Sequence, residues 1–355
     1  MRIHSHFGDY RVFSLASLQE ALFQAGANGR LFYLVDRNLY TTKHRHALPA
    51  IGNARVLLIQ ATEKSKSFQS LAGLLQALLK AGIRRDDRLI AVGGGTVQDI
   101  TAFIASILFR GIAWEFVPTT LLAQADSCIG SKSSINLGAF KNQIGTFSAP
   151  QRVYLIHTLL ETLSRDQIRS GLGEIIKLHL IAGGQAYSRA KSFLNGSIPE
   201  SSQLSSWVQG SLLIKKSFIE EDEFDRGRRN LLNYGHTFGH AYESVTGYKI
   251  PHGISVLLGI ASATCLSEEM KMTPPGSFLS IYQWLYPYFT PFQKCLKNTS
   301  MESLVRAMKR DKKNSPNRLN LILTRGPGRM EKVSLDENRN LRPFFKKLKR
   351  LIFQG

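Results

Sequence analysis

Within LLNYGHTFGHAYE, Leu231 to Glu243, His236 and His240 stand four residues apart. On an α-helix that spacing puts both imidazoles on one face, one turn apart. Neutral imidazole is a ligand for zinc-type metals, so a metal-binding pair is the first reading. The residue after His236 is Thr237, where an HExxH metalloprotease needs its glutamate base, so that chemistry is excluded. Glu174 and Lys177 lie one turn apart in GLGEIIK, Lys215, Arg229 and Asn233 precede the histidines, and His252 follows Pro251 at a helix start. Two histidines and one carboxylate leave an open coordination position, the pattern of a catalytic site. Only a fold can bring Glu174 to the histidines. Taken alone on an amphipathic helix it reads as part of a solvated face, as do Lys215 and Arg229 taken singly.

The elements that position these groups change character along the chain. RLFYLVD from Arg30, ARVLLIQ from Ala54, DRLIAV from Asp87 and AWEFVP from Ala113 read as strands. FQSLAGLLQALLKAG from Phe68 and TVQDITAFIASILFRG from Thr96 have helical periodicity. Strands alternating with helices predict right-handed βαβ units and a parallel sheet. The strand from Asp87 runs into Gly93-Gly94-Gly95 and then a helix, in outline a phosphate cradle. The pattern is not GxGxxG, and a plain strand-to-helix turn explains it equally well. Asp36 ends its strand, either as a ribose-binding acid or as a turn residue. After about residue 155 helical patterns dominate, so the expectation is two domains, 1–155 and 156–355: an α/β Rossmann-like domain, then a mainly α-helical one.

The chain has 355 residues, 43% of them hydrophobic and 20% charged, as in an ordinary folded protein. Its three cysteines form no CxxC pair, which argues for a reducing compartment and against a thiolate zinc site. The opening MRIHSHFGDYRVF has no apolar core of signal-peptide type, and the run ISVLLGIASATCL is too short to span a bilayer. The expectation is a cytoplasmic protein without a membrane span. A net charge of +20 attracts anions. The tail RPFFKKLKRLIF, from Arg342, reads as a terminal helix packing its apolar face, with membrane-surface or nucleic-acid contact as the alternative.

Taken in order, GGGTVQDITAFIASILFRGIAWEFVPTTLLAQADSCIGSKSSINLGAFKNQIGTF, GLGEIIK, GRRNLLNYGHTFGHAYE and PHG resemble the 3-dehydroquinate synthase family of sugar phosphate cyclases. The resemblance runs from about Asp36 to Lys313. It implies a Rossmann-like domain and a helical domain with the active site in the cleft between, bound NAD, and one Zn2+ (or Co2+) ion. The implied metal ligands are Glu174, His236 and His252. The implied NAD contacts are Asp36, Glu63, Lys66, Gly94, Gly95, Asp99, Thr119, Thr120 and Lys141. Substrate and catalytic groups are implied at Asp126, Lys132, Asn142, Lys177, Lys215, Arg229, Asn233 and His240. Arg110, from the neighbouring subunit of a homodimer, and one of Lys312 and Lys313 are implied to meet phosphate. The implied reaction converts 3-deoxy-D-arabino-heptulosonate 7-phosphate to 3-dehydroquinate and phosphate by transient oxidation, elimination, reduction and aldol cyclisation. Such a substrate carries a carboxylate and a phosphate ester, which lysine and arginine clusters suit.

The chain departs from that pattern at Ser131 and Ser134, in GSKSSIN, where the family has glycines, at Gln98 beside Asp99, and at Asp225, where the family has Glu. Added Cβ atoms and hydroxyls crowd the substrate loop. Another sugar phosphate cyclase, such as a 2-deoxy-scyllo-inosose synthase-like enzyme, is therefore the alternative. A metal-dependent alcohol dehydrogenase fits less well, because a small neutral alcohol needs no anion clamp. A basic protein binding nucleic acid without catalysis fits least, since the chemical groups are intact.

Overall fold

The structure is a computed structural model that describes residues 1–27, 29–138, 140–297, 299–309, 317–336 and 339–353. In chain order the elements are β1 Arg2–Ile3, β2 Tyr10–Ser14, α1 Leu18–Gly26, β3 Leu31–Asp36, β4 Val56–Ile59, α2 Phe68–Lys80, β5 Arg88–Gly93 and α3 Gly95–Ile107. There follow β6 Trp114–Pro118, β7 Lys132–Leu137, β8 Phe140–Phe147, β9 Arg152–Leu155, α4 Arg165–Ala182, α5 Gly184–Phe193, α6 Ser201–Glu221, α7 His236–Val245 and α8 His252–Glu269. The last are α9 Ser277–Phe289, α10 Gln293–Lys297, α11 Met301–Lys309, β10 Arg318–Thr324, β11 Met330–Asp336 and α12 Arg342–Phe353.

Contacts divide the chain into two compact units, Met1–Ser164 with Glu200–Glu223, and Arg165–Pro199 with Phe224–Gly355. The first break lies nine residues beyond the expected 155 (164 − 155), and α6 groups with the first unit instead of the second. Periodicity marks α6 as a helix but does not say which core receives its apolar face.

The first unit holds a seven-stranded sheet in the order β1-β2-β9-β6-β5-β3-β4. All its pairs are parallel except β1 with β2. Strands β5 and β6 are buried along their whole length, as a parallel sheet covered on both faces requires. The core joins Leu18, Ala21 and Ala25 of α1 to Val35, Ile90, Val92 and Val117 of the strands. From β3 the chain moves outward to β4, then crosses back to place β5 on the other side of β3. That reversal opens a crevice at the carboxyl ends of β3 and β5, where such folds bind nucleotides. Strands β1, β2 and β9 and the hairpin β7–β8 were not apparent from the sequence; they are short or mixed in polarity.

The second unit is built of helices plus the antiparallel hairpin β10–β11, also unforeseen. Helix α8 is buried from Gly253 through Ser267, which explains why its apolar residues show no single face. In α12 Phe344, Phe345 and Leu348 are buried while Lys346, Lys347 and Arg350 are exposed, so the tail packs its apolar stripe. Among the described residues no helix is long and apolar enough to cross a membrane.

Candidate functional site

In the first unit the crevice gathers the nucleotide-type residues. Val35 of β3 pairs with Val92 of β5, so Asp36 and Gly93 leave the sheet side by side. Asp36 caps the following turn, accepting from Asn38 N at 3.0 Å, and burial raises its carboxyl above the ordinary value. The turn-residue reading of Asp36 therefore holds whether or not it also meets a ribose. Gly94 is the N-cap of α3 and has no side chain with which to cap it. A Cβ there would lie 3.0 Å from Thr120 Cγ2, so glycine keeps the cradle open. Thr119 N donates to Gly93 O at 2.9 Å, holding the two strand ends together.

Around the cradle the charged groups are paired. Lys66 Nζ lies 2.5 Å from Asp99 Oδ2, and Ser134 N donates to Asp99 Oδ1 at 3.1 Å. Burial pushes the Asp99 carboxyl up, while the Lys66 ammonium pulls the other way. Glu63 accepts from Asn136 Nδ2 at 2.8 Å and lies 3.5 Å from Lys141 Nζ. Asn136 N donates to Lys66 O at 2.8 Å, so β7 is tied to the loop after β4. Asn136 was not foreseen; nothing in sequence spacing marks it.

The same unit carries a second cationic group. Lys215 on α6 donates to Asp126 O at 2.7 Å and meets the Asp126 carboxylate at 2.5 Å. Lys215 is buried, not on a solvated face. Lys132 begins β7 and is exposed. Asn142 takes a left-handed backbone, its N–H donating to Asn136 Oδ1 at 2.9 Å, while Ser134 Oγ donates to its Oδ1 at 3.0 Å. Ser134 thus holds Asn142 instead of merely crowding the loop. Gln98 and Ser127 are hydrogen-bonded to each other, Ser127 Oγ donating to Gln98 Oε1 at 2.6 Å. Arg110 follows α3 with φ +65°, directly after Phe109 at +51°. Lys312 and Lys313 lie outside the described residues.

In the second unit Glu174, His236 and His252 form one cluster, each offering a ligand atom within 4.8 Å of the others. His252 Nε2 is 3.2 Å and His236 Nε2 3.8 Å from Glu174 Oε1, and the Lys177 ammonium meets Oε2. Glu174 is 1% and Lys177 2% exposed, so the solvated-face reading of Glu174 is wrong. These ionic contacts leave both Glu174 oxygens without a well-directed hydrogen bond. A buried carboxylate is costly unless it is compensated; the Lys177 ammonium compensates Oε2, while Oε1 has only the two imidazoles near it. One carboxylate oxygen and two imidazole nitrogens are the donor set of zinc or cobalt sites, so the residues fit such an ion. His240 packs against both His236 and His252, ring centroids 5.4 and 6.0 Å away. Against burial, Glu243 and Glu174 raise His252 to about 10. Arg229, buried, and Asn233 lie in the turn Arg228–Asn233 that leads into α7 and packs on α4.

Glycines let these helices approach. A Cβ on Gly253 would lie 1.8 Å from Ser170 O of α4, and one on Gly259 would lie 1.9 Å from Gly235 O. Gly253 N also donates to Ser170 Oγ at 3.1 Å, fixing the start of α8 against α4. Gly253→Ala is expected to cost about 1–3 kcal/mol by overpacking, seen as a lower Tm, and to weaken metal binding by moving His252 away from Glu174.

Residues 56–170 match the profile of the 3-dehydroquinate synthase N-terminal domain and residues 171–314 that of its C-terminal domain. A 3-dehydroquinate synthase of Streptococcus pneumoniae is 34% identical over 305 residues, 84% of this chain and 85% of the relative. A crystal structure of 2-deoxy-scyllo-inosose synthase complexed with carbaglucose-6-phosphate, NAD+ and Co2+ superposes with TM-score 0.85 at 23% identity, covering 100% of this chain and 99% of that one. A 2-epi-5-epi-valiolone synthase from Streptomyces hygroscopicus subsp. jinggangensis 5008, with NAD+ and Zn2+ bound, superposes with TM-score 0.78 at 21% identity, covering 98% and 99%. At those identities the superpositions speak for the fold, and the 34% relative and both domain profiles speak for descent. The chain belongs to the 3-dehydroquinate synthase family.

Proposed function

We propose that this chain is an NAD- and divalent-metal-dependent sugar phosphate cyclase that converts 3-deoxy-D-arabino-heptulosonate 7-phosphate to 3-dehydroquinate and phosphate. The observation that carries the reading is the Glu174–His236–His252 cluster, with the buried Glu174 carboxylate at its centre and Lys177 against it, in a chain of this family. Glu174, His236 and His252 would hold the ion. Asp36, Glu63, Lys66, Gly94, Gly95, Asp99, Thr119, Thr120 and Lys141 would hold NAD. The nucleotide supplies a reversible hydride acceptor, and the ion supplies Lewis acidity to substrate hydroxyls.

The chain's own groups then bind and move protons. Lys132, Asn142, Lys177, Lys215, Arg229 and Asn233 supply donors for a carboxylate, a phosphate and hydroxyls. Asp126 holds the Lys215 ammonium in place. Lys177, buried beside Glu174, keeps a positive charge where substrate negative charge develops. His240, packed on two ligand histidines, is the proton relay. Arg110 from a second copy and Lys312 or Lys313 complete the phosphate contacts in this reading, which includes a cytoplasmic homodimer.

The test is phosphate release from a panel of sugar phosphates with NAD and divalent metal present. Turnover is expected with the seven-carbon keto-acid phosphate. Release from glucose 6-phosphate alone would overturn the substrate and move the chain to the hexose-phosphate cyclases.

A further inference from the structure

We propose that Glu243 is the positioning residue of the metal centre, fixing which nitrogen of His252 faces the ion; this rests on the metal reading above. Glu243 lies on α7 three residues after His240 and seven after His236, so all three share one face of the helix. Its Oε1 is 3.1 Å from His252 Nδ1, while His252 Nε2 lies 3.2 Å from Glu174 Oε1. The two ring nitrogens thus face two different carboxylates. An imidazole binds an ion through one nitrogen, and the other is then an N–H donor. Donation of Nδ1–H to Glu243 leaves the Nε2 lone pair toward Glu174 and His236, and makes that nitrogen the stronger donor. The hold matters because His252 is the first residue of α8, with its side chain 35% exposed, so packing alone does not fix its ring.

Glu243 also belongs to a second possible ligand group, His240, Glu243 and His252. The two assignments differ in burial and bonding. Glu174 is buried with poorly satisfied oxygens, whereas Glu243 is 15% exposed and already accepts from His252. The ion therefore belongs with Glu174, and Glu243 acts through His252.

The experiment is Co2+ titration of the full chain, read by the visible ligand-field absorption of the bound ion, with Tm of each metal-free variant as the folding control. Glu243→Ala is expected to weaken Co2+ binding by about ten- to hundredfold, with activity restored by excess Co2+. Glu243→Gln, whose amide carbonyl still accepts Nδ1–H, should recover most of that loss and leave the spectrum unchanged. Glu174→Gln should abolish binding. If Glu243→Gln loses Co2+ as completely as Glu174→Gln, Glu243 is a ligand and the proposal fails. If Glu243→Ala binds Co2+ like the unchanged chain, it has no positioning role and the proposal also fails. Undiminished binding by Glu174→Gln would instead overturn the metal assignment itself.

Discussion

His236→Ala is expected to lose bound metal and turnover together, whereas His240→Ala keeps the metal and loses rate by about 10²- to 10⁴-fold. The difference follows from where each imidazole stands. His236 Nε2 is in the group with Glu174 and His252, so its removal leaves two donors for the ion. It also leaves the buried Glu174 carboxylate with less compensation. His240 packs edge-on against His236 but is not in that group, so on the proposed reading its loss removes the proton relay and spares the coordination. Metal analysis of the purified variants, beside their rates, separates the two. Loss of metal from His240→Ala would place the ion in the group of His240, Glu243 and His252 instead.

Lys66→Met is expected to act on the other cofactor. Its ammonium is the counter-charge for Asp99, which lies on the helix that Gly94 caps. Breaking a largely buried pair by removing one partner costs about 3–5 kcal/mol. NAD affinity should fall by about ten- to hundredfold, since charged hydrogen bonds contribute about 1.5–3 kcal/mol. The stability loss should depend on pH, with a definite sign. Burial already raises the Asp99 carboxyl, and without Lys66 nothing of comparable strength pulls it down. The folded chain then binds that proton more tightly than the unfolded chain, so stability recovers as pH falls through the raised value. Lys66→Met combined with Asp99→Asn should regain stability at neutral pH without regaining NAD affinity. Chemical denaturation across pH and NAD titration of the single and double variants check both halves. A stability defect that does not change with pH would contradict the account.

Several elements that carry candidate residues were legible in the sequence because their starts and ends have local signatures. The GGG turn closes a strand, GHTFGH has helical spacing, and PHG starts a helix; all three are where expected. The burial of Glu174 was not legible. GLGEIIK looks amphipathic in isolation, and its glutamate is inside because of tertiary packing, including the close glycine contact of α4 with α8. Glu243 carried a usable signal, its three- and seven-residue spacing from the histidines, but the bond to His252 depends on how α7 meets α8. The helical half was readable by period, whereas β7–β8 and β10–β11 were not, because short hairpins of mixed polarity lack a distinctive pattern. Helix α6 shows the same limit: its period is plain, yet its partner core is set by tertiary packing.

The central claim is a cyclase that regenerates its nicotinamide within each turnover. The most direct measurement follows phosphate and NADH together during conversion of the seven-carbon keto-acid phosphate with substoichiometric NAD. The account predicts one phosphate released per dehydroquinate formed, over many turnovers, with no accumulation of NADH. Reduction of the supplied NAD to NADH without phosphate release would contradict it and make the chain a dehydrogenase.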